Sequence, residues 1–339
     1  MVDLQFLGRV ADDLEEQGAA ARREFALDAA DQLFVAEFGF QGPPAYATLR
    51  RAVSGPLAPD APLLAHHQKA EDGNAKLLRG LGDHLPPPGA DFDDWHWLTQ
   101  LDQARAVAFG IRHFRSHTPY CMGTVLWQLN DCWPVVSWAA VDGDGRRKPL
   151  WYALRAVYAD RLIAVRDGAV HLVNDAPTPW TGTLRLTRHG LDGAVLAEEG
   201  VGVSTAARSV TRVPLPVSLA EPAAPDRELL VARLGDTRTV EFYEEDTRLA
   251  LPPADYDVTV TEDASGPPGY RVEITARTLL RDLALFPDRL DPAAEVDDML
   301  VTLLPGESTV FMITGAALKD PEALGRHPVL RCVNDAVTR

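Results

Sequence analysis

The sequence predicts an α/β layer over roughly its first 160 residues, followed by two all-β sandwiches. Three observations carry this reading. The texture changes near residue 160, from long helical stretches alternating with short apolar runs to short β-type runs split by Gly, Pro and Asp. Residues 93–117 repeat apolar side chains at three- and four-residue steps between two short apolar runs. Beyond residue 160, two series of alternating segments are divided by Pro252-Pro253. The expected division is an atypical, acid-rich helical segment over 1–30, an α/β layer over 31–160, and sandwiches over 161–250 and 251–339. Each sandwich is near the 100 residues of an immunoglobulin-like domain, and 339 residues leave room for such a plan.

In the first part, Leu33-Phe34-Val35-Ala36-Glu37-Phe38 is a short apolar run with one acid near its end, punctuated by Gly39 to Pro44. Helices are expected over 45–53 and 71–85, the second closed by Pro86-Pro87-Pro88. The strongest helix covers 93–117, with Leu98, Leu101, Ala104, Ala108, Ile111 and Phe114 on one stripe. Asp91 or Asp93 is placed to cap it, and Pro119 follows its end. Gly123 to Leu129 has a buried-strand pattern, and a further helix is expected over 151–158. Strand, helix, strand, helix is the order of an α/β layer or barrel. In the second part, AVHLVND, GTLRLTR, RSVTRVPLPVSL, ELLVARLG and TVEFYEE form one series of strands. DYDVTVTED, GYRVEITART, LALFP and TLLPGESTVFMI form the other.

A net charge of -16 disfavours nucleic acid and anionic lipid as partners, since both attract Lys and Arg. A neutral sugar fits that balance. No run of 18 apolar residues is present, so no membrane helix is expected. The acidic start MVDLQFLGRVADDLEEQG does not read as a signal peptide, which makes a cytoplasmic location the expectation. Cys121, Cys132 and Cys332 show neither CxxC spacing nor an even framework. Buried free thiols are expected, and neither a metal nor another cofactor. Oligomeric state leaves no signal.

Glu37 is the central candidate. An acid at the C-terminal end of a buried strand, followed by Phe38-Gly39-Phe40-Gln41-Gly42, sits where barrel enzymes place catalytic groups. The plainer reading is a glutamate that caps a helix or pairs with an arginine. Six of the seven tryptophans (Trp95, Trp97, Trp127, Trp133, Trp138 and Trp151) fall within 57 residues. Indole faces stack on sugar rings, and Trp127 is followed by Gln128, Asn130 and Asp131, an apolar platform beside amides and acids. Trp95, Trp97 and Trp151 read as core. His66, His67 and Gln68 form a polar loop cluster, and Asp142-Gly143-Asp144-Gly145 reads as a turn because it lacks the later ligands of a calcium loop.

The string Phe34-Val35-Ala36-Glu37-Phe38-Gly39-Phe40-Gln41 resembles the nucleophile motif of the β-mannosidases of glycoside hydrolase family 2. His67-Gln68-Lys69 with Gly73-Asn74, Gln100 to Ala104, and Trp127 to Trp138 (WQLNDCWPVVSW) are similar to the same family. So are Asp142, Gly145, Arg146, Lys148, Pro149, Leu150 and Tyr152, and Leu303 to Glu307 near the end. The resemblance spans about residues 34 to 315, and the WQLND-WP-SW string is its most specific part.

This resemblance implies that residues 31–160 are the C-terminal part of a (β/α)8 TIM barrel, with immunoglobulin-like sandwiches behind it. It implies a retaining exo-β-mannosidase acting on terminal β-D-mannose of an oligosaccharide or glycan. Glu37 would be the nucleophile, Trp127 the floor of the sugar subsite, and Asn130 and Asp131 further substrate-pocket residues. Retention needs a second carboxyl group about 5 to 5.5 Å from the nucleophile to protonate the leaving oxygen. In the family that glutamate follows an asparagine well upstream, yet only 36 residues precede Glu37 and none of them form an Asn-Glu pair. About 130 barrel-like residues also fall short of the 250 of a full barrel. The expectation is a truncated form lacking the acid/base. The competing expectation is a non-catalytic fragment that binds carbohydrate or protein.

Overall fold

The computed structural model describes residues 34–337 except 83, 90, 264–265 and 316. The helical segment expected over 1–30 lies outside the described residues. The fold is mostly β-sheet with few helices.

Two short strands open it: β1 (Val35–Phe38) and β2 (Thr124–Leu126), paired in parallel with Val35 opposite Thr124 and Phe38 opposite Leu126. Between them run α1 (Tyr46–Ala52), α2 (Pro62–His66), α3 (Gly73–Leu81) and α4 (Phe92–Ser116). Parallel neighbours need such a helical crossover. After β2 the chain forms a long loop and then α5 (Pro149–Val157), with Pro149 at the first turn where its missing N–H costs nothing. Here β2 is shorter than the strand expected over 123–129, because Trp127 onward leaves the pairing. The histidine pair is also corrected: His66 ends α2 and His67 caps it, where the sequence reading had a loop.

The 25-residue helix α4 is the organiser. Asp91 caps it by accepting from the Asp93 amide (2.9 Å), which decides between the two expected caps. Its C-terminal half, with Ala104, Val107, Ala108, Ile111 and Phe114, packs on Val35 and Phe38 of β1 and on Leu150, Leu154 and Val157 near α5. Phe38 and Phe114 meet edge to face, with centroids 5.4 Å apart. Its N-terminal half, with Trp97, Leu98 and Leu101, enters the core of the last sheets. Each such buried side chain contributes about 1.5–3 kcal/mol. Acids in its first turn pair with arginines from far along the chain, Asp93 with Arg289 (2.7 Å) and Asp94 with Arg331 (2.5 Å).

Beyond α5, a three-stranded sheet orders β3 (Arg161–Arg166), β4 (Ala169–Asn174) and β7 (Ser209–Pro214). A four-stranded sheet runs β6 (Val195–Thr205), β5 (Trp180–Gly190), β8 (Glu228–Leu234) and β9 (Thr237–Phe242). Both sheets bury Ile163, Leu172, Leu184, Leu186 and Leu230 in one core. The last part pairs β10 (Tyr256–Glu262), β11 (Gly269–Ala276), β15 (Ser308–Thr314) and β13 (Glu295–Val296) in that order. It also pairs β14 (Val301–Leu303), β12 (Leu280–Leu285) and β16 (Leu330–Arg331). Their shared core contains Val272, Ile274, Leu283, Phe311 and Ile313. Among the described residues no helix is long and apolar enough to cross a membrane. Cys121 and Cys332 are buried free thiols as expected, but Cys132 is exposed.

Candidate active site

Glu37 is the third residue of β1. Val35 and Phe38 are buried against α4, whereas Ala36 and Glu37 are exposed. The Trp127 amide donates to the Phe38 carbonyl (2.9 Å), and the Val35 amide donates to the Gly123 carbonyl (3.0 Å). The pairing thus sets Glu37 and Trp127 at the C-terminal ends of two adjacent parallel strands. Gly39 makes this approach feasible: a Cβ there would lie 1.9 Å from the Trp127 carbonyl oxygen. The Trp127 side chain is 48% exposed. The Glu37 side chain has no hydrogen bond or ion pair to another described residue, so neither a helix cap nor an arginine pair is seen for it among them.

Behind the indole, the loop folds on a polar frame. Gln128 Nε2 donates to Asp131 Oδ1 (3.0 Å) and to the Asn130 carbonyl (3.2 Å). Asp131 Oδ2 accepts from the Ser137 hydroxyl. Burial pushes the Asp131 carboxyl above its usual range, against the Ser137 hydroxyl and the Lys148 cation, which favour the ionised form. Asn130 is exposed, with its side chain donating to the Asp131 carbonyl (3.2 Å). So Glu37 and Trp127 are brought together, Asn130 faces solvent beside them, and Asp131 is engaged within its own loop.

The remaining candidates group around the same loop. His67 stacks at a tilt on Trp133 (centroids 5.3 Å, 32°), and His66 meets that ring edge-on. Val136 donates its amide to the His67 carbonyl (2.7 Å). Gln68 holds Asn74 through its side-chain amide (2.9 Å). Asp142 is buried and accepts from the amides of Asp144 and Arg146 through one oxygen, and from the Ala45 amide and Thr48 hydroxyl through the other. It is the turn that its sequence suggested. Trp95 and Trp97 are 1% exposed and belong to the core; Trp151 is half-buried beneath Arg147.

Sequence reasoning missed three supporting side chains. Gln103 donates to the carbonyls of Phe40 (2.7 Å) and Ser137 (3.1 Å) from inside α4. Lys148, 1% exposed, donates to the carbonyls of Gly42 (2.9 Å) and Ser137 (3.4 Å). Gln41 is 3% exposed, and neither of its side-chain amide atoms has a partner among the described residues. All three fall within strings that carry the family resemblance, but no local pattern in the sequence shows that they are buried or which carbonyls they hold.

No family model matches the chain. Among curated relatives, β-mannosidase B of Emericella nidulans is 36% identical over 138 residues, which is 39% of this chain and 16% of that protein. β-Mannosidase B of Aspergillus niger is 35% identical over a stretch of the same length. The chain therefore matches about a sixth of the length of these relatives. Among solved structures, the β-D-mannosidase of Dictyoglomus thermophilum superposes with a TM-score of 0.74 at 24% identity, covering 88% of this chain and 37% of that one. The chain is β-mannosidase-like. An exo-chitosanase of Amycolatopsis orientalis shares the fold more loosely, with a TM-score of 0.59 at 17% identity over 87% of this chain and 41% of that one. The β-mannosidase likeness thus extends through most of the described fold, while the curated sequence matches reach 39% of the chain.

Proposed function

We propose that this chain is part of a retaining exo-β-mannosidase and carries its nucleophile, Glu37. In this reading residues 31–160 are the C-terminal part of a (β/α)8 barrel, and 161–250 and 251–339 are immunoglobulin-like sandwiches. The observation that carries it is that Glu37, whose carboxylate has no partner among the described residues, and the half-exposed Trp127 stand at the C-terminal ends of paired parallel strands, the end where barrel enzymes work. Trp127 offers the apolar face on which a mannose ring stacks. The Glu37 carboxylate attacks C1 from the opposite side to the leaving oxygen, the glycosidic bond breaks, and a glycosyl-enzyme ester forms; water then attacks C1 and releases Glu37. The step also needs a group that protonates the leaving oxygen, and no residue of this chain is assigned that role. Asn130 is the nearer candidate for a sugar hydroxyl, and Asp131 acts with it from within the loop. The acidic composition supports a neutral glycan as substrate.

The competing carbohydrate-binding reading loses support, because Trp180, the one tryptophan past residue 160, is 4% exposed and offers no face to a sugar.

The test is covalent labelling with an activated fluoro-mannoside, whose leaving group needs no proton. Mass spectrometry is expected to place the adduct on Glu37 and to find none in Glu37→Gln. An adduct on any other carboxylate refutes the assignment. An aryl β-mannoside with a poor leaving group is expected to turn over little or not at all with this chain alone.

A further inference from the structure

Lys148 is an expensive side chain for this fold. It is 1% exposed, and burying an ammonium costs several kcal/mol unless its partners compensate. Its partners are the backbone carbonyls of Gly42 and Ser137. Neither carbonyl depends on it. The two residues already bond to each other through both amides, Gly42 N to Ser137 O (2.9 Å) and Ser137 N to Gly42 O (3.2 Å), and Gln103 gives Ser137 O a second donor besides the lysine. The lysine is therefore superfluous for satisfying these groups, and an apolar side chain of its length would fill the same space.

Its location supplies a reason. Gly42 lies in the turn that leaves β1 five residues after Glu37, and Ser137 lies in the loop that leaves β2 ten residues after Trp127. Asp131, which braces Gln128, reaches the same point through the Ser137 hydroxyl. Asp131 and Asp142 are the carboxylates facing the ammonium, and the neutral ring of His96 feels its charge from α4. Burial lowers the Lys148 ammonium to about 7, with both carboxylates opposing that fall.

We propose that Lys148 is a positioning residue: its buried ammonium, shared by the Gly42 and Ser137 carbonyls, cross-braces the turn after Glu37 to the loop after Trp127 and so fixes the two strand ends that carry them relative to each other. This inference rests on the reading of Glu37 and Trp127 as the sugar site. It assigns Lys148 no contact with substrate.

The experiment compares the full chain with Lys148→Met, Lys148→Arg and the exposed control Lys319→Met. Amide hydrogen exchange is followed at Gly42, Trp127 and Ser137, with amides of β5 and β8 as distant references. Lys148→Met is expected to speed exchange at the three site amides at least tenfold and to leave the references unchanged. Its thermal midpoint is expected to fall, because the Asp131 and Asp142 carboxylates lose a facing charge, so the distant reference amides decide whether the loosening is local to the site. Lys148→Arg, which keeps the charge and donors, is expected to recover part of the slow exchange. In the labelling assay, Lys148→Met should lower the maximal labelling rate of Glu37 at least tenfold, with a smaller change in the half-saturating reagent concentration. Exchange that stays slow at the site, or rises equally in the references, overturns the proposal. Should Lys148→Met fail to fold, Lys148→Gln carries the same comparison. If the parent itself is not labelled at Glu37, the sugar-site reading fails, and the exchange comparison alone decides whether Lys148 is the brace.

Discussion

His96 shows how one side chain ties the site to acid sensitivity. It sits on α4, 1% exposed, with Nε2 donating to the Pro44 carbonyl (2.8 Å) at the end of the turn that follows Glu37. Burial, helped by the Arg289 charge, lowers its pKa from 6.5 to about 3. The unfolded chain therefore binds a proton that the folded chain refuses. Stability falls as pH drops below 6.5 toward 3, by up to about 1.4 kcal/mol per pH unit from this group. Urea unfolding of the parent between pH 7 and 4 should show that slope, and His96→Gln should flatten it. An unchanged slope would assign the acid sensitivity to other groups.

At the scale of elements, α4 was the most legible part of the sequence, because its apolar stripe repeats every three or four residues and acids crowd its first turn. Its burial explains why. Leu101 is fully buried and touches the core of the last sheets. Leu101→Ala is expected to cost about 2–5 kcal/mol, read as a lower denaturation midpoint without a change in slope. Other elements left weaker traces. The 11-residue strand β6 escaped because it is a sheet edge, largely exposed, with Glu198, Glu199, Gly200 and Gly202 interrupting any alternation. The segments after residue 160 that alternate cleanly, such as GYRVEITA, became β11 with every second residue buried. Glu37 and Trp127 stand 90 positions apart, and their proximity depends on strand pairing that only the family resemblance implied. Lys148 was quoted among the matching residues and given no role, since burial of a lysine is a tertiary outcome with no local signature.

For the molecule as a whole, the layers are fastened by charges as well as by apolar cores. Arg105 of α4 reaches Asp282 of β12 through Nε (2.8 Å) and also pairs with Asp246, which is fully buried and shared with Arg281. One helix is thereby joined to the connection after β9 and to the final sheets. Arg105→Leu leaves Asp246 with less compensation in a dry setting, so a loss of about 3–5 kcal/mol is expected in denaturant unfolding. A loss below 1 kcal/mol would mean that Arg281 alone suffices.

Within the described residues, β1 has one lateral neighbour, β2, and β2 has none but β1. Strands laid in the same direction ordinarily sit in the middle of a wider sheet, screened on both faces. Among the described residues the ribbon that ends at Glu37 and Trp127 is therefore paired along one side of each strand only, unlike the wider sheets that follow it.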